Sequence, residues 1–227
     1  MPRLTDRRKL YFYLIILIIL VSIHNFKITN NFNNFFNINK IEIKNGLNEN
    51  LNQNILLSLN KFINSNIFLL KTEELAFLFD KFNLVEEYKI KKKYPSAIEV
   101  EVKQTEILAY FLENNQKILI GQNGKEIKDK IISTKDLPIL IGTININKFL
   151  SLNKLLLENE FNLKDFTRIY YFKSDRWDLE FKNNLIIKLP FNGLDETLKK
   201  LKKIYNKNQF NNLKIIDLRV AGRIIVK

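Results

Sequence analysis

The sequence predicts an α+β protein with a single N-terminal transmembrane helix, a small β-α-α-β-β domain, and a β-rich domain with helices packed on a mixed sheet. Three observations lead there. An apolar run stretches from Leu10 to Ile23. Between Lys40 and Lys103 a strand-like alternation, two helical stripes and two further alternations follow in order. Beyond residue 107, short alternating segments recur between turn signals, with two amphipathic helices among them. The 227 residues, carrying a formal charge of +13, suffice for one large or two small domains. Cysteine is absent and His24 is the single histidine. That composition removes disulfides, thiolate or multi-histidine metal sites and cysteine nucleophiles. A Ser-His-Asp relay could use only His24, beside the apolar run. The expectation is a protein with no catalytic residues, no metal and no cofactor. Lys, Asn, Ile and Phe share AT-rich codons, which gives the positive charge a compositional source beside any functional one.

From Leu10 to Ile23 only Ser22 is polar. At about 1.5 Å per residue the run spans roughly 21 Å, against a hydrocarbon core of roughly 30 Å. Extension to Phe26, with Lys9 snorkelling, brings it to about 26 Å, within reach of a slightly thinned bilayer. Three readings compete: a cleaved signal peptide, a buried core helix and a membrane anchor. The stretch Ser22-Ile23-His24-Asn25-Phe26 offers no small-residue cleavage site. A core helix would show a polar face, whereas this run is apolar all round, with Tyr11 and Tyr13 as interfacial aromatics near one end. The anchor is therefore expected at 10–26, with Leu10, Leu14, Ile18 and Val21 among its residues. Arg3, Arg7, Arg8 and Lys9 precede the run and only Lys27 follows closely. The positive-inside bias then keeps residues 1–9 cytoplasmic and sends the remainder across the membrane. Absence of cysteine suits an oxidising compartment. The Asn- and Phe-rich residues 27–39 read as a juxtamembrane linker.

Ile41-Glu42-Ile43-Lys44 alternates as a strand, stopped by Asn45-Gly46. Leu51, Ile55, Leu59 and Phe62, with Leu56 beside them, form a helical stripe within 48–62. Thr72 is a candidate N-cap for a second helix carrying Leu75, Leu78, Phe79 and Phe82. Residues 87–91 alternate strictly, and after Tyr94-Pro95 so do residues 98–103, with Ile98, Val100 and Val102 on one face. Two helices over a three-stranded sheet make a closable layer structure. This first domain is expected at 40–106 and the second at 107–227.

In the second half, Ile107–Leu112 and Lys117–Ile120 flank Asn114-Asn115 as a hairpin. Trp177, Leu179 and Phe181 alternate with Asp178, Glu180 and Lys182, predicting one buried and one wet face. Asn183-Asn184 can supply a two-residue turn, and Leu185–Leu189 returns. Leu150–Leu157 and Leu194–Tyr205 read as helices on this sheet, and 214–227 as two strands joined at Ala221-Gly222.

Two motifs suggest other chemistry. Ser58-Leu59-Asn60-Lys61 and Ser151-Leu152-Asn153-Lys154 fit the S-x-x-K pattern of penicillin-binding acyl enzymes. The S-D-N and K-T-G partners of that site are missing, and both copies lie on amphipathic stripes where Ser and Lys form the wet face. Ile120-Gly121-Gln122-Asn123-Gly124-Lys125-Glu126-Ile127 matches the I-G-x-x-G-x-x-I loop of nucleic-acid-binding KH domains. A KH loop joins two helices, whereas here the flanks read as strands, and the anchor places the loop outside the cytoplasm. Nucleic acid and small-molecule substrates are therefore not expected. The basic runs Lys89–Lys93 and Lys199–Lys203 read as solvated faces, open to anionic lipid or an acidic partner.

The β-α-α-β-β order directly after a membrane anchor resembles a POTRA domain, a module that docks other polypeptides. Leu137-Pro138-Ile139-Leu140-Ile141-Gly142 resembles the LPxLxG segment of the FtsQ/DivIB family of bacterial division proteins. Arg176-Trp177-Asp178-Leu179, Asn183-Asn184 and Leu189-Pro190 resemble that family's hairpin. Ile216-Asp217-Leu218-Arg219 and Arg223-Ile224-Ile225-Val226 resemble its closing element. The order is the family's and covers nearly the whole chain. Two stretches depart: Gln104-Thr105-Glu106-Ile107-Leu108 replaces an acidic-Arg-x-Pro segment, and Ala221-Gly222 replaces a Pro-Asp turn. The resemblance implies a non-enzymatic divisome scaffold at the inner membrane, binding the FtsB/FtsL pair and regulating septal peptidoglycan synthesis. The alternatives are a membrane-anchored POTRA protein serving polypeptide transport or assembly and, after it, a KH-like nucleic-acid-binding protein.

The partner site is expected on the last two strands. A terminal strand leaves an edge with unpaired N–H and C=O groups, and Ile224, Ile225 and Val226 supply one, with Lys227 closing the sequence. Alternation places Ile216, Leu218 and Val220 inward and Asp217 and Arg219 outward. The resemblance implies that Arg219 contacts the partner, with Val220 and Arg223 beside it.

Overall fold

The computed structural model describes residues 5–25, 34–44, 48–129, 131–205, 213–220 and 222–227, with backbone alone for 5–8, 22–25 and 205. The Asn45-Gly46 stop, Phe26, linker residues 27–33 and Ala221 lie outside this set. The architecture is mixed α+β. Helix α1 (Thr5–Asn25) carries the apolar run, where Leu10, Leu14, Ile18 and Val21 are exposed. Among the described residues no helix is long and apolar enough to cross a membrane. By compactness the chain divides into two units, Met1–Phe79 with Tyr88–Val102, and Asp80–Glu87 with Lys103–Lys227.

The first unit contains β1 (Lys40–Lys44), α2 (Glu49–Leu59), α3 (Thr72–Phe79) and most of β2 (Val85–Lys93) and β3 (Ala97–Gln104). The expected β-α-α-β-β order is the observed one. β3 is the middle strand of the three, and β1 runs parallel to it with Ile41 opposite Ile98 and Ile43 opposite Val100. The Asn48 side chain accepts the Asn50 N–H at 3.3 Å and caps α2. Its stripe Leu51, Ile55 and Leu59 is buried, and a 3-10 turn at Asn60–Phe62 buries Phe62 as well. α3 starts at Thr72, which is therefore its first helical residue and not its cap. It stops at Phe79, and Phe82 lies in the following turn, its C=O accepting the Val85 N–H at 2.9 Å. Ile98, Val100 and Val102 are buried as expected, but so is Glu99 on the opposite face. Lys44, Lys91 and Lys93 reach over it, with Lys44 Nζ at 2.7 Å, and that hydrogen bond holds the Glu99 carboxyl below the usual range.

Among the described residues the second unit is a nine-stranded sheet with two α-helices. Its strands are β4 (Ile107–Glu113), β5 (Gln116–Gly121), β6 (Glu126–Ile127), β7 (Ile139–Gly142), β8 (Phe166–Tyr171), β9 (Trp177–Phe181), β10 (Ile186–Lys188), β11 (Ile215–Asp217) and β12 (Ile225–Val226). Their order is β12-β11-β10-β9-β8-β7-β4-β5-β6. Both parallel and antiparallel pairs occur, so the sheet is mixed. The β4-β5 turn has Asn114 and Asn115 at φ 49° and 61°, the paired positive values of a type I′ hairpin. The β9-β10 turn differs from expectation. Only Asn184 has positive φ, and Phe181 N–H reaches Leu185 C=O at 2.9 Å, so three residues rather than two form the loop.

One apolar row crosses the sheet in register: Leu140, Ile169, Leu179, Ile187 and Ile216 sit opposite one another on successive strands and all are buried. Helices α4 (Ile146–Glu158) and α5 (Leu194–Tyr205) contribute Phe149, Leu152, Leu156, Leu198 and Leu201 to the same core. The half-wet reading of β9 does not hold. Asp178 and Glu180 are buried together with Trp177, Leu179 and Phe181. β9 lies between β8 and β10, and neighbouring side chains cover its polar face. Glu180 accepts Arg168 Nη1 and the Tyr170 hydroxyl, each at 2.8 Å.

Candidate functional site

The expected partner residues converge at one edge of the nine-stranded sheet. β-branched Ile215 and Ile216 extend β11 beside β10, where Ile216 pairs in parallel with Ile187 and is buried. β12 then pairs antiparallel with β11, Val226 opposite Ile216 and Ile225 opposite Asp217. Lys227 exchanges N–H and C=O bonds with Ile215 at 3.0 and 3.1 Å. The alternation of an antiparallel ladder therefore turns the Val226 N–H and C=O away from β11, toward the open edge. Ile224, Ile225 and Val226 are 44–48% exposed, although Val226 continues a row whose other members are buried.

Arg219 lies outside β11 and folds back on Asp217. Its Nε donates to Oδ1 and Oδ2 at 2.8 and 2.9 Å, and Nη2 adds a third bond. The guanidinium holds the Asp217 carboxyl below the usual carboxylate range. Val220 is exposed, against the inward placement that alternation gave it, because β11 has ended at Asp217 and residues 218–220 no longer follow a pleat. Arg223 donates its backbone N–H to the Val220 C=O at 3.1 Å, closing the turn that holds Gly222 at φ 76°.

Beside this edge runs a groove of about 610 Å³, with Phe191, Glu196 and Lys200 facing Arg219, Arg223 and Ile224. Of the groove residues in 190–200, Pro190 belongs to the hairpin resemblance and Lys200 to a basic run, and sequence alone assigns none of them to the partner site. They belong to the segment entering α5 and to its first turns, and only the fold brings them against residues 218–224. On the same outer face a charged row runs inward from the edge, with Asp217, Lys188 and Asp178 opposite one another on β11, β10 and β9. Asp178 is buried, its Oδ1 has no hydrogen-bond partner, and burial pushes its carboxyl above the usual range despite Arg176 Nε at 3.4 Å.

The rival motifs are placed elsewhere. Ser151 donates to the Asn147 C=O at 2.9 Å within α4, and Ser151 and Lys154 are exposed there, the wet face of that helix. Ser58 and Lys61 lie at the end of α2 and in the turn after it. The Gly121–Gly124 loop joins antiparallel β5 and β6, so the helix-loop-helix setting of a KH clamp is not present. Its Asn123 amide instead donates to the C=O groups of Asn83 and Val85 at 2.9 and 3.0 Å. Among the described residues no cluster of His, Asp and Glu could hold a metal ion.

A β-α-α-β-β unit followed by a mixed sheet with an open, cationic edge defines a two-unit α+β protein of the POTRA-containing class. Known proteins sharpen that class. The profile for the FtsQ-type POTRA domain matches residues 36–105, and that for the C-terminal part of the cell division protein FtsQ/DivIB matches residues 109–219. The chain belongs to the FtsQ/DivIB family of cell division proteins. It is 30% identical to the cell division protein FtsQ of Rickettsia felis over 178 residues and 30% identical to that of Rickettsia conorii over 176. In both cases 76% of this chain is covered, and the chain spans 66% of the length of these relatives. Among solved structures, the extracytoplasmic domain of DivIB from Geobacillus stearothermophilus matches 47% of this chain and 98% of its own, at 15% identity and a TM-score of 0.33.

Proposed function

We propose that this chain is a non-enzymatic divisome scaffold that captures a partner by adding a strand to β12. The observation that carries the reading is the β12 edge: a side of the sheet with no further strand among the described residues, an apolar Ile224-Ile225-Val226 strip, and a groove flanked by Arg219, Arg223 and Lys200. Backbone bonds to an incoming strand give affinity, and alternate side chains in flanking pockets give selectivity. The cations favour an acidic segment, and the family assignment supports the FtsB/FtsL pair as its source, with control of septal peptidoglycan synthesis as the outcome. In this reading Arg219, Val220, Arg223, Ile224, Ile225 and Val226 are the contact residues. Arg219 exchanges or shares its Asp217 bonds when a partner carboxylate arrives.

The same reading places residues 1–9 in the cytoplasm, 10–26 in the inner membrane, and 40–106 and 107–227 as two periplasmic domains at the septum. A reporter fused after Lys227 is expected to work only if it is active outside the cytoplasm.

The test is capture of the FtsB/FtsL pair by the full chain in detergent, with Val226→Asp and Arg219→Glu as variants. Val226→Asp is expected to abolish capture, since a charge enters the seam of the added strand. Arg219→Glu is expected to cost about 2–5 kcal/mol of binding if its partner carboxylate is desolvated. Two folded variants that bind as tightly as the parent would reject the site.

A further inference from the structure

We infer that the aromatic end of the first unit seats in the interfacial layer of the membrane, with its rings at headgroup depth. Three segments meet there. The Asn37 and Asn66 backbones form an antiparallel bridge, the Ile67 N–H donates to the Phe36 C=O at 2.9 Å, and the Asn39 N–H donates to the Ser96 C=O at 2.9 Å. These bonds line up four rings, Phe35 on Phe36 at 5.2 Å, Phe36 on Phe68 at 5.1 Å and Phe68 on Tyr94 at 5.0 Å. Such a ladder ordinarily belongs to a core, yet Phe35, Phe68 and Tyr94 are 56–59% exposed and the adjoining Leu69 is 79% exposed.

The chemistry of the patch selects its occupant. Segments 34–39, 64–71 and 92–96 contain no Asp or Glu, and their charges are Lys71, Lys92 and Lys93. Lys92 Nζ donates to the C=O of buried Leu70, the residue after exposed Leu69, at 2.7 Å. Aromatic rings with asparagine and lysine around them match the composition of a membrane interface, and the cations favour anionic headgroups. The patch also begins where the chain arrives from α1. At no more than about 3.5 Å per residue, residues 27–34 reach at most about 28 Å, so an anchored chain presents Phe35 to the bilayer at high effective concentration. The inference thus rests on the anchor proposed above.

The test uses the full chain reconstituted in bilayers of phosphatidylethanolamine and phosphatidylglycerol. Because the chain lacks cysteine, Leu69→Cys and, as a control within the same unit, Glu49→Cys at the exposed start of α2 each give one site for an environment-sensitive fluorophore. Lipids bearing a shallow nitroxide are expected to quench the label at 69 and leave the label at 49 bright. Adding Phe68→Ser and Tyr94→Ser is expected to remove the quenching at 69 while alkaline carbonate still leaves the chain in the membrane pellet. No quenching at 69, equal quenching at both sites, or quenching that survives the two serine changes overturns the inference. So does a label at 69 equally shielded in lipid-free amphipol, which would assign the patch to a protein. If the serine variant unfolds, the comparison of 69 with 49 decides alone. Extraction of the parent chain by carbonate rejects the anchor instead, and the quenching at 69 then still reports whether the patch meets lipid.

Discussion

Gly142→Ala offers a sharp test of why the β7 segment ends in glycine. Gly142 sits at φ +116°, where side chains are strained, and pairs with Tyr171 across the parallel β7-β8 ladder. An added Cβ would lie 1.9 Å from the Tyr171 carbonyl oxygen and 3.0 Å from its carbon. Neither atom can yield alone, because both are backbone inside the sheet. The end of β7 must therefore move by more than about 1 Å, forfeiting a ladder bond worth about 1 kcal/mol, on top of about 1–3 kcal/mol of dihedral strain. With the residual clash we expect a loss of about 4 kcal/mol or more, in the range reserved for severe lesions. Trp177 is the chain's single tryptophan and stacks on Tyr171 at 4.3 Å, so its fluorescence reports this region during urea unfolding. Gly222→Ala is the control. It shares a positive φ of +76°, but its Cβ would meet nothing within 4 Å, so the expected cost is about 1 kcal/mol of strain. If the two substitutions shift the midpoint equally, the close approach at Tyr171 is not what fixes glycine at 142.

Asp178→Asn is expected to stabilise the second unit by about 1 kcal/mol at neutral pH, by relieving a buried carboxylate with an unpartnered oxygen. Because burial raises the folded carboxyl above its unfolded value, the parent loses stability as pH rises through that interval. The gap between variant and parent should therefore open with rising pH and close under acid, and a gap independent of pH would refute the assignment. Ile187→Ala, at a fully buried position in the middle of the apolar row, is expected to cost about 2–5 kcal/mol by urea midpoint. Lys44→Ala leaves Glu99 without the hydrogen bond that chiefly lowers its pKa, so the Glu99 carboxyl resonance should titrate at higher pH than in the parent. An unchanged titration would show that Lys91 and Lys93 suffice.

Local pattern reached as far as local physics decided the outcome. The stripe Leu51, Ile55 and Leu59 announced α2 because burial follows the helical period, and Asn114-Asn115 announced its hairpin because two adjacent asparagines tolerate positive φ. Alternation misjudged β9 for a reason of the same kind. It shows that a strand has an apolar face, but cannot show that the polar face is covered. Glu180 is roofed by Arg168 and Tyr170 from β8, residues that local sequence does not bring near it. Glu99 is buried by three lysines from two other strands in the same way. Val220 failed differently, since a period-2 argument ran three residues past the end of β11.

The candidate edge combines both situations. Its strand residues were legible as an apolar run, while the groove, built from 190–200 and 218–224, needed the fold to assemble it. What distinguishes this edge from an ordinary sheet margin is the register behind it. Leu140, Ile169, Leu179, Ile187 and Ile216 form one buried row, and the next member, Val226, stands 47% exposed. An edge meant to remain bare is commonly blunted by charge, proline or a bulge. In β12 the two paired residues are Ile225 and Val226, and the lysine follows them. Continuing the apolar row by one more strand would bury Val226 and satisfy its outward N–H and C=O together. The same step on the outer face would bring a new residue beside Ile225, which lies opposite Asp217 at the end of the charged row. Strand addition at β12, as proposed, would offer a partner one apolar contact, one pair of backbone bonds and one charge-adjacent position, and Val226→Asp would remove the first while leaving the last in place.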